Sequence, residues 1–288
     1  MIYKDITVGI VAFKSEKVIF NCLKKLNKIN NIIVFDNSND LKLRNLVVKK
    51  YPKVKYILSK KNLGFGAATN KIFKHTKTNF YLSISPDTIV DEKCINVLIR
   101  NAKSIKNNFS IMSPLSRGKN YGYFEDFDKS NKKKLNQNLL EVDYVTGCSM
   151  LINLKKLKKI GKFDENIFLY LEEIDLCRRF KLINEKIYIC NNAKAKQHLS
   201  AQSSDIGFEY NKCQNWHWMW SSIYYNIKHH GFFFTINKYL FKFITSFIKS
   251  LILFLFFQHK KSLIYVLRTS GMFNAFFGNK SWYRPSIN

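Results

Sequence analysis

From Ile6 to Ser85 the chain switches repeatedly between two hydrophobic periods, and this alternation leaves few architectures open to it. "ITVGIVAF" is a continuous apolar run of strand length, after which Val18, Ile19, Cys22, Leu23 and Leu26 recur at helical spacing. "NIIVFD" reads as a strand, Leu41 to Lys50 as a helix, and "VKYILS" as a strand. A Gly-Phe-Gly turn then opens a helical stretch around Ala67 to Phe73, and "NFYLSIS" is again a strand. Strands alternating with helices predict an α/β fold with a mostly parallel, Rossmann-like sheet and right-handed crossovers. In such a sheet the carboxyl ends of the strands share one edge, and ligands bind there. Asp36 and Asn37 close the second strand, Asn62 follows the third and Asp87 follows the fourth, so polar groups far apart in sequence converge on one crevice.

"NLGFGAAT" invites a phosphate-loop reading, yet it lacks the Lys-Ser/Thr of a Walker motif and a third glycine. A two-glycine turn is more often only a tight turn. Its place on the ligand edge, before a helix N-terminus, keeps anion binding open.

The stretch "YLEEIDLCRRF", Tyr170 to Phe180, sets acids and arginines into an otherwise apolar run. At about 100° per residue, Ile174, Leu176, Cys177 and Phe180 share one side with Glu173 among them. Glu172, Asp175 and Arg179 fall opposite, with Asp175 and Arg179 forming an i,i+4 pair. A glutamate on an apolar face is costly unless it is paired or lines a cavity. Acids complementing a helix N-terminus are the plain alternative.

Between Phe109 and Glu141 the pattern is weak, and "SRGKNYGYFEDFDKSNKKK" reads as a long polar loop. "VDYVTGCSMLIN" reads as a strand interrupted at Gly147, "LKKLKKIG" as a basic helix stopped by Gly161, and "KIYICNN" as a strand. The six cysteines, Cys22, Cys94, Cys148, Cys177, Cys190 and Cys213, form no CxxC pair, which argues against a zinc site or a disulfide scaffold. With no signal-peptide pattern at the N-terminus, the cytosol is the expected compartment.

After about Asp205 the character changes to aromatic, apolar and basic, giving an expected division into residues 1–205 and a helical region at 206–288. The longest apolar segment, Phe243 to Gln258, contains Lys249 and falls short of the ~18 residues of a spanning helix. Basic residues interleaved with aromatics fit helices lying in a membrane interface, with a spanning or re-entrant hairpin and a buried core as alternatives. The net charge of +28 fits an anionic partner, although joint enrichment in Lys, Asn and Ile is also what an AT-rich genome produces.

Four segments in order, "TVGIVAFKS", "IIVFDNSND", "NLGFGAATNKIFKHTKTNFYLSISPDTIV" and "VTGCSMLINLKKLKKIGKFDENIFLYLEEIDLCRRF", resemble glycosyltransferase family 2. These are inverting nucleotide-sugar enzymes of the GT-A fold, and the likeness is nearest to rhamnosyltransferase-like members of bacterial surface-polysaccharide assembly. The resemblance implies that Ala12, Phe13 and Asp36 hold the base and ribose, and that Asn62, Gly64 and Gly66 contact the nucleotide. It implies that Asp87 coordinates a divalent cation, Mg or Mn, bridging the diphosphate, with His198 near the diphosphate or metal. Glu173 matches the general base that takes the acceptor's proton; Glu172 is the alternative, and the helical wheel favours Glu173. The metal motif here, Ser85-Pro86-Asp87-Thr88, offers one carboxylate, and the base position carries glutamate where aspartate is common.

The resemblance implies transfer of a sugar, rhamnose being the nearest guess, from a nucleotide-diphosphate donor to a lipid-diphosphate-linked or saccharide acceptor. The expected place is the cytoplasmic face of the membrane, held by the basic, aromatic tail on anionic lipid. Alternatives are a non-catalytic partner subunit or a basic protein that binds anionic ligands. Nucleic acid is not expected as a partner, because the ordered acids at Asp36, Asp87 and Glu173 would repel its phosphates.

Overall fold

The computed structural model describes residues 2–116, 120–127, 136–197 and 207–284. The first half of the sheet is built from β1 (Ile6–Ala12), β2 (Ile32–Asp36), β3 (Val54–Leu58) and β4 (Phe80–Ile84), with α1 (Ile19–Lys24), α2 (Leu41–Lys50) and α3 (Phe65–Phe73) as crossovers. Beyond these lie β5 (Thr88–Ile89), α4 (Glu92–Ser104), β6 (Ile111–Leu115), β7 (Tyr121–Gly122), β8 (Leu139–Val142), β9 (Tyr144–Val145) and β10 (Ser149–Asn153). Then follow α5 (Leu154–Ile160), α6 (Glu172–Leu182), β11 (Ile187–Lys194) and β12 (Lys196–Gln197). The eight-stranded sheet runs β3-β2-β1-β4-β10-β6-β11-β8, and only β10 and β8 oppose the direction of the rest. The predicted α/β class with a mostly parallel sheet is therefore present.

The apolar runs of the parallel strands are continuous because helices cover both faces of the sheet. Within β1 and β2, Val8, Ile10, Ile32 and Val34 join one core with Leu98 of α4 and Leu23 of α1. Ile33 and Phe35 turn to the other face, with Ile72 of α3 and Leu176 and Phe180 of α6. Side chains fix the helix starts: Asp40 accepts from Leu43 N at 2.8 Å and Asp91 from Cys94 N at 2.8 Å. Gly161, at φ +80°, ends α5 as its sequence position predicts.

The stretch between Phe109 and Glu141 holds more structure than its composition suggests. "IMSPL" is β6, an interior strand with Pro114 inside it, and Leu139–Val142 is the edge strand β8. A short run containing proline ordinarily reads as an edge or a non-strand, which hid β6. Residues 117–119 and 128–135 of the polar segment lie outside the described residues.

All six cysteines are buried and unpaired. Burial pushes the thiols of Cys22, Cys94, Cys177, Cys190 and Cys213 up to about 12.

Gly9 of β1 is required by a close approach. A Cβ there would meet the Tyr81 hydroxyl oxygen at 2.1 Å and its ring carbons at 2.3 and 2.4 Å. Tyr81 is itself fully buried, edge-on to Phe73 at 4.9 Å, so it has no room to withdraw. Gly9→Ala should cost about 3 kcal/mol, near the upper end for overpacking. Denaturant titration of Gly9→Ala, Tyr81→Ala and the double variant checks this, with strong non-additivity expected because the second change empties the contested space.

The chain divides into two compact units, Met1–Asp164 with Glu173–Gln202, and Glu165–Glu172 with Ser203–Asn288. The second unit consists of the helices α7 (Gly207–His230), α8 (Phe232–Leu255) and α9 (His259–Phe276). Its core is Trp216, Met219, Trp220 and Ile223 of α7 against Leu267, Met272 and Ala275 of α9. Gly271 lets α9 approach the α7 backbone, since a Cβ there would lie 2.4 Å from the Trp216 carbonyl oxygen.

Helix α8 is arranged inside out. Its buried positions are Thr235, Ser246 and Ser250, while Phe233 is 86 % exposed, Phe241 78 % and Leu255 73 %. The inward hydroxyls spend their hydrogen bonds on backbone: Thr235 donates to Gly231 O at 2.7 Å and Ser250 to Phe247 O at 2.6 Å. Among the described residues no helix is long and apolar enough to cross a membrane.

Candidate active site

Three of the segments predicted to hold a nucleotide are stitched together at the strand edge. Asn37 donates its backbone N–H to Ala12 O at 2.8 Å and its Nδ2 to Gly64 O at 3.2 Å. Its Oδ1 accepts from Leu63 N at 3.1 Å, and Asn62 Oδ1 accepts from Gly64 N at 3.0 Å. Asn37 is thus the knot joining the β1, β2 and β3 ends, a role that needs a side chain with both a donor and an acceptor. Phe13 sits in the same edge, its N–H donating to Ser15 Oγ at 3.0 Å.

Asp36 is fully buried, and its carboxylate accepts from Ser38 N at 2.8 Å, from the Ser38 hydroxyl, from Asp40 N at 3.3 Å and from Tyr56 OH at 3.0 Å. A carboxylate offers about four lone-pair positions, so these donors fill it. In this arrangement Asp36 acts on the edge through the turn it fixes. Neither Asn37 as organiser nor Tyr56 as a donor could be read from spacing, because both roles depend on which strands become neighbours.

Gly64, at φ +81°, begins α3 with no side chain capping the first turn, and Gly66 is buried within it. Uncapped N–H groups at a helix start suit an anion.

The second cluster centres on the break between β9 and β10, where the sequence places Thr146, Gly147 and Cys148. Cys148 O accepts from Ser85 N at 3.0 Å, which ties this break to the Ser85-Pro86-Asp87 loop after β4. Gly147 N donates to Glu173 Oε1 at 3.3 Å. Both Asp87 and Glu173 push the Cys148 thiol upward electrostatically, after burial and against hydrogen bonds from Thr146 and Ser116. The two predicted carboxylates, remote in sequence, therefore border one break in the sheet.

Burial raises the Glu173 carboxyl from its ordinary range, opposed by N–H groups of Glu173 itself, Gly147 and Ile174. Leu176, Cys177 and Phe180 on its helix are fully buried, as the wheel predicts. The other side of the wheel is not a solvent face: Asp175 is fully buried and Glu172 nearly so. Asp175 pairs with Arg179 Nε at 2.8 Å, and Arg179 also donates to the carbonyls of Ile160 at 2.9 Å and Lys162 at 2.8 Å. Arg179 thus caps the C-terminal end of α5 and clamps α6, which is why a charged pair is tolerated there. Tyr170 and Leu171, at φ 66° and 69°, lie immediately before α6 in the left-handed region. Bulky residues there carry of order 1–3 kcal/mol of strain each, a cost found preferentially at functional sites.

Asp87 is buried at the strand edge and accepts from the Thr88 hydroxyl at 3.3 Å. It is a hard oxygen donor, and magnesium-like ions are held by one or two carboxylates plus substrate phosphates and water, so one carboxylate fits a metal carried with the donor. Among the described residues no three His, Cys, Asp or Glu side chains converge. The β5–β12 ladder ends with Gln197 opposite Thr88, and the next residue, His198, lies outside the described residues.

Comparison with known proteins bears on the same region. A hexosyltransferase of low-salt glycan biosynthesis, Agl10 of Haloferax volcanii, is 26 % identical over 203 residues, 65 % of this chain and 64 % of that protein. Rhamnosyltransferase WbbL of Escherichia coli K12 is 26 % identical over 208 residues, 62 % of this chain and 78 % of that protein. The chain thus spans less than two thirds of the length of the first of these relatives. Among solved structures, GalNAc-T7 with UDP, GalNAc and Mn2+ aligns with a TM-score of 0.57 at 13 % identity, over 67 % of this chain and 43 % of that one. Mannosyltransferase PcManGT of Pyrobaculum calidifontis, with GDP-Man and Mn2+, aligns at 0.56 and 8 % identity over 96 % of this chain and 88 % of that one. The family model described as glycosyl transferase family 2 matches residues 7–161, more than half of the chain, which therefore belongs to that family.

Proposed function

We propose that this chain is an inverting glycosyltransferase. It moves a sugar from a nucleoside-diphosphate donor to a hydroxyl of a lipid-linked or saccharide acceptor, at the cytoplasmic face of a membrane. The observation that carries the reading is the Glu173 carboxyl, raised by burial and held by Gly147 N–H at the break that Asp87 also borders. The family, and the hexosyltransferase and rhamnosyltransferase among the relatives, support sugar transfer in glycan assembly, with rhamnose one donor to try first.

Glu173 accepts the acceptor's proton as its oxygen bonds to the anomeric carbon from the face opposite the leaving group. The bond from that carbon to the diphosphate breaks, and the nucleoside diphosphate departs with the electron pair. A base with a raised pKa transfers protons efficiently near neutral pH. Asp87, with His198, would hold a divalent cation, which supplies charge neutralisation for the departing diphosphate. Mn2+ in both GalNAc-T7 and PcManGT structures supports that assignment. Asn37, Asn62 and the Gly64 turn hold the nucleotide edge in shape.

A thermal-shift panel of nucleotide sugars, with and without manganese or magnesium, tests the reading on wild type and Asp87→Ala. A donor that binds the folded state raises the melting temperature by mass action. One donor should do so only with metal, and Asp87→Ala should lose the shift. No shift with any donor, together with no transfer, would favour a non-catalytic subunit.

The base assignment also fixes a pH profile. Transfer needs ionised Glu173, so kcat should fall as pH drops, with its acid limb above the ordinary carboxylate range because burial raises this group. A limb at the ordinary glutamate value would contradict the assignment.

The exposed apolar face of α8 supports membrane docking. Serines face inward and phenylalanines outward, the pattern of a helix whose outer surroundings are apolar.

A further inference from the structure

Among the described residues the cations of the α8–α9 pair form no ion pair, and Lys238 donates to the amide oxygen of Asn226 at 3.3 Å. Lys238, Lys242 and Lys249 fall on one stripe of α8, beside the buried Thr235, Ser246 and Ser250 and next to the exposed phenylalanines. Two tyrosines are each bracketed by two of these charges. Lys238 and Lys242 Nζ both lie 5.9 Å from the Tyr239 ring, while Lys249 Nζ and the Arg268 guanidinium lie 5.7 and 5.4 Å from the Tyr265 ring. Arg268 Nε is buried without a hydrogen-bond acceptor. Lys242 is lowered from its ordinary value by burial and then by the like charge of Arg268.

No aspartate or glutamate occurs in the sequence after Glu209. Lys242 and Arg268 are half-buried beside the exposed Lys249, and an anion supplied from outside relieves the repulsion among such like charges. The flanking surface identifies its carrier. Phe233 and Phe241 are exposed on α8 and Phe257 in the turn between α8 and α9, so the anion arrives attached to apolar chains.

We propose that Lys242 and Arg268, with Lys249 beside Tyr265, form a binding site for the phosphate headgroup of an anionic bilayer phospholipid. This rests on the membrane reading above and adds selectivity to it. Apolar side chains enter the acyl boundary, while the cation cluster sits at headgroup depth and reads charge.

The test is flotation of the full chain with vesicles of phosphatidylcholine, alone or doped with phosphatidylglycerol. Anionic lipid should tighten wild-type binding. Lys242→Gln/Arg268→Gln should lose about twentyfold of that gain, from roughly fivefold per cation at the surface, and keep its binding to neutral vesicles. Lys42→Gln/Lys49→Gln, which removes the same charge from the exposed face of α2, should leave the gain nearly intact. Lys242→Arg/Arg268→Lys should bind as wild type, which separates lost charge from lost folding. Equal loss in both glutamine pairs would assign the effect to net charge and overturn the site. Inorganic phosphate that erased the lipid preference at constant ionic strength would overturn the lipid source. Wild type that bound both vesicles equally would remove this site alone, whereas binding to neither would remove the membrane reading with it.

Discussion

Glu173→Gln is expected to abolish sugar transfer and leave nucleotide-sugar affinity nearly unchanged. The amide keeps the shape of the side chain and an oxygen that accepts from Gly147 N–H, so the break between β9 and β10 should hold its geometry. What disappears is the ability to take a proton, worth roughly 10²–10⁴ in rate for a positioned base. The substitution should not weaken the fold. A carboxyl raised by burial contributes stability below its unfolded pKa and loses it as pH rises through its folded pKa. At neutral pH the uncharged amide relieves that penalty, and the variant should melt no lower than wild type. Turnover assayed beside calorimetric donor binding checks both halves. Full transfer with intact donor affinity would sink the assignment of Glu173, and the same substitution at Glu172 would then be the next to make.

The second large effect concerns the helical unit. Replacing Phe233, Phe241, Leu255 and Phe257 by serine should move the protein from the membrane fraction to the soluble one. These side chains are 86, 78, 73 and 83 % exposed, so their loss removes little internal packing. Each contributes about 2 kcal/mol when fully buried in an apolar phase, and partial insertion of four still gives on the order of 10³-fold in partitioning. Truncation after Gly231 would be a poorer test. It removes α9, whose Leu267, Met272 and Ala275 cover Trp216 and Trp220, and so bares the tryptophans of α7. Fractionation by centrifugation reads the outcome, and an unchanged membrane fraction in the serine variant would refute docking through this face.

The alternation of periods made the parallel half of the sheet legible because β1 and β2 are covered on both faces and read as plain apolar runs. The strand ends followed from that topology, which is why Asp36, Asn62 and Asp87 could be placed on one edge before any contact was seen. Contacts across the edge could not be placed this way. Asn37 draws its importance from three neighbours supplied by β1 and the loop after β3, and periodicity carries no information about them. The wheel for α6 placed Leu176, Cys177 and Phe180 on the buried side, as they are, yet it assigned Asp175 to a polar face. Asp175 is fully buried because Arg179 and the end of α5 close over it, a tertiary arrangement that a single helix cannot reveal. Pro114 masked β6 for a similar reason, since a proline inside a central strand is tolerated only where its neighbours do not need its missing N–H.

The six buried cysteines have a practical consequence. Buried thiols whose pKa is raised, in five of the six to about 12, carry almost no thiolate, and thiolate is the reactive form. The native chain is therefore silent toward maleimides. A single cysteine introduced at an exposed site, such as position 42 on α2, would be the one addressable handle for a fluorophore or spin label. Vesicle binding and donor binding could then be followed on the unaltered core, with no cysteine-free background to engineer first.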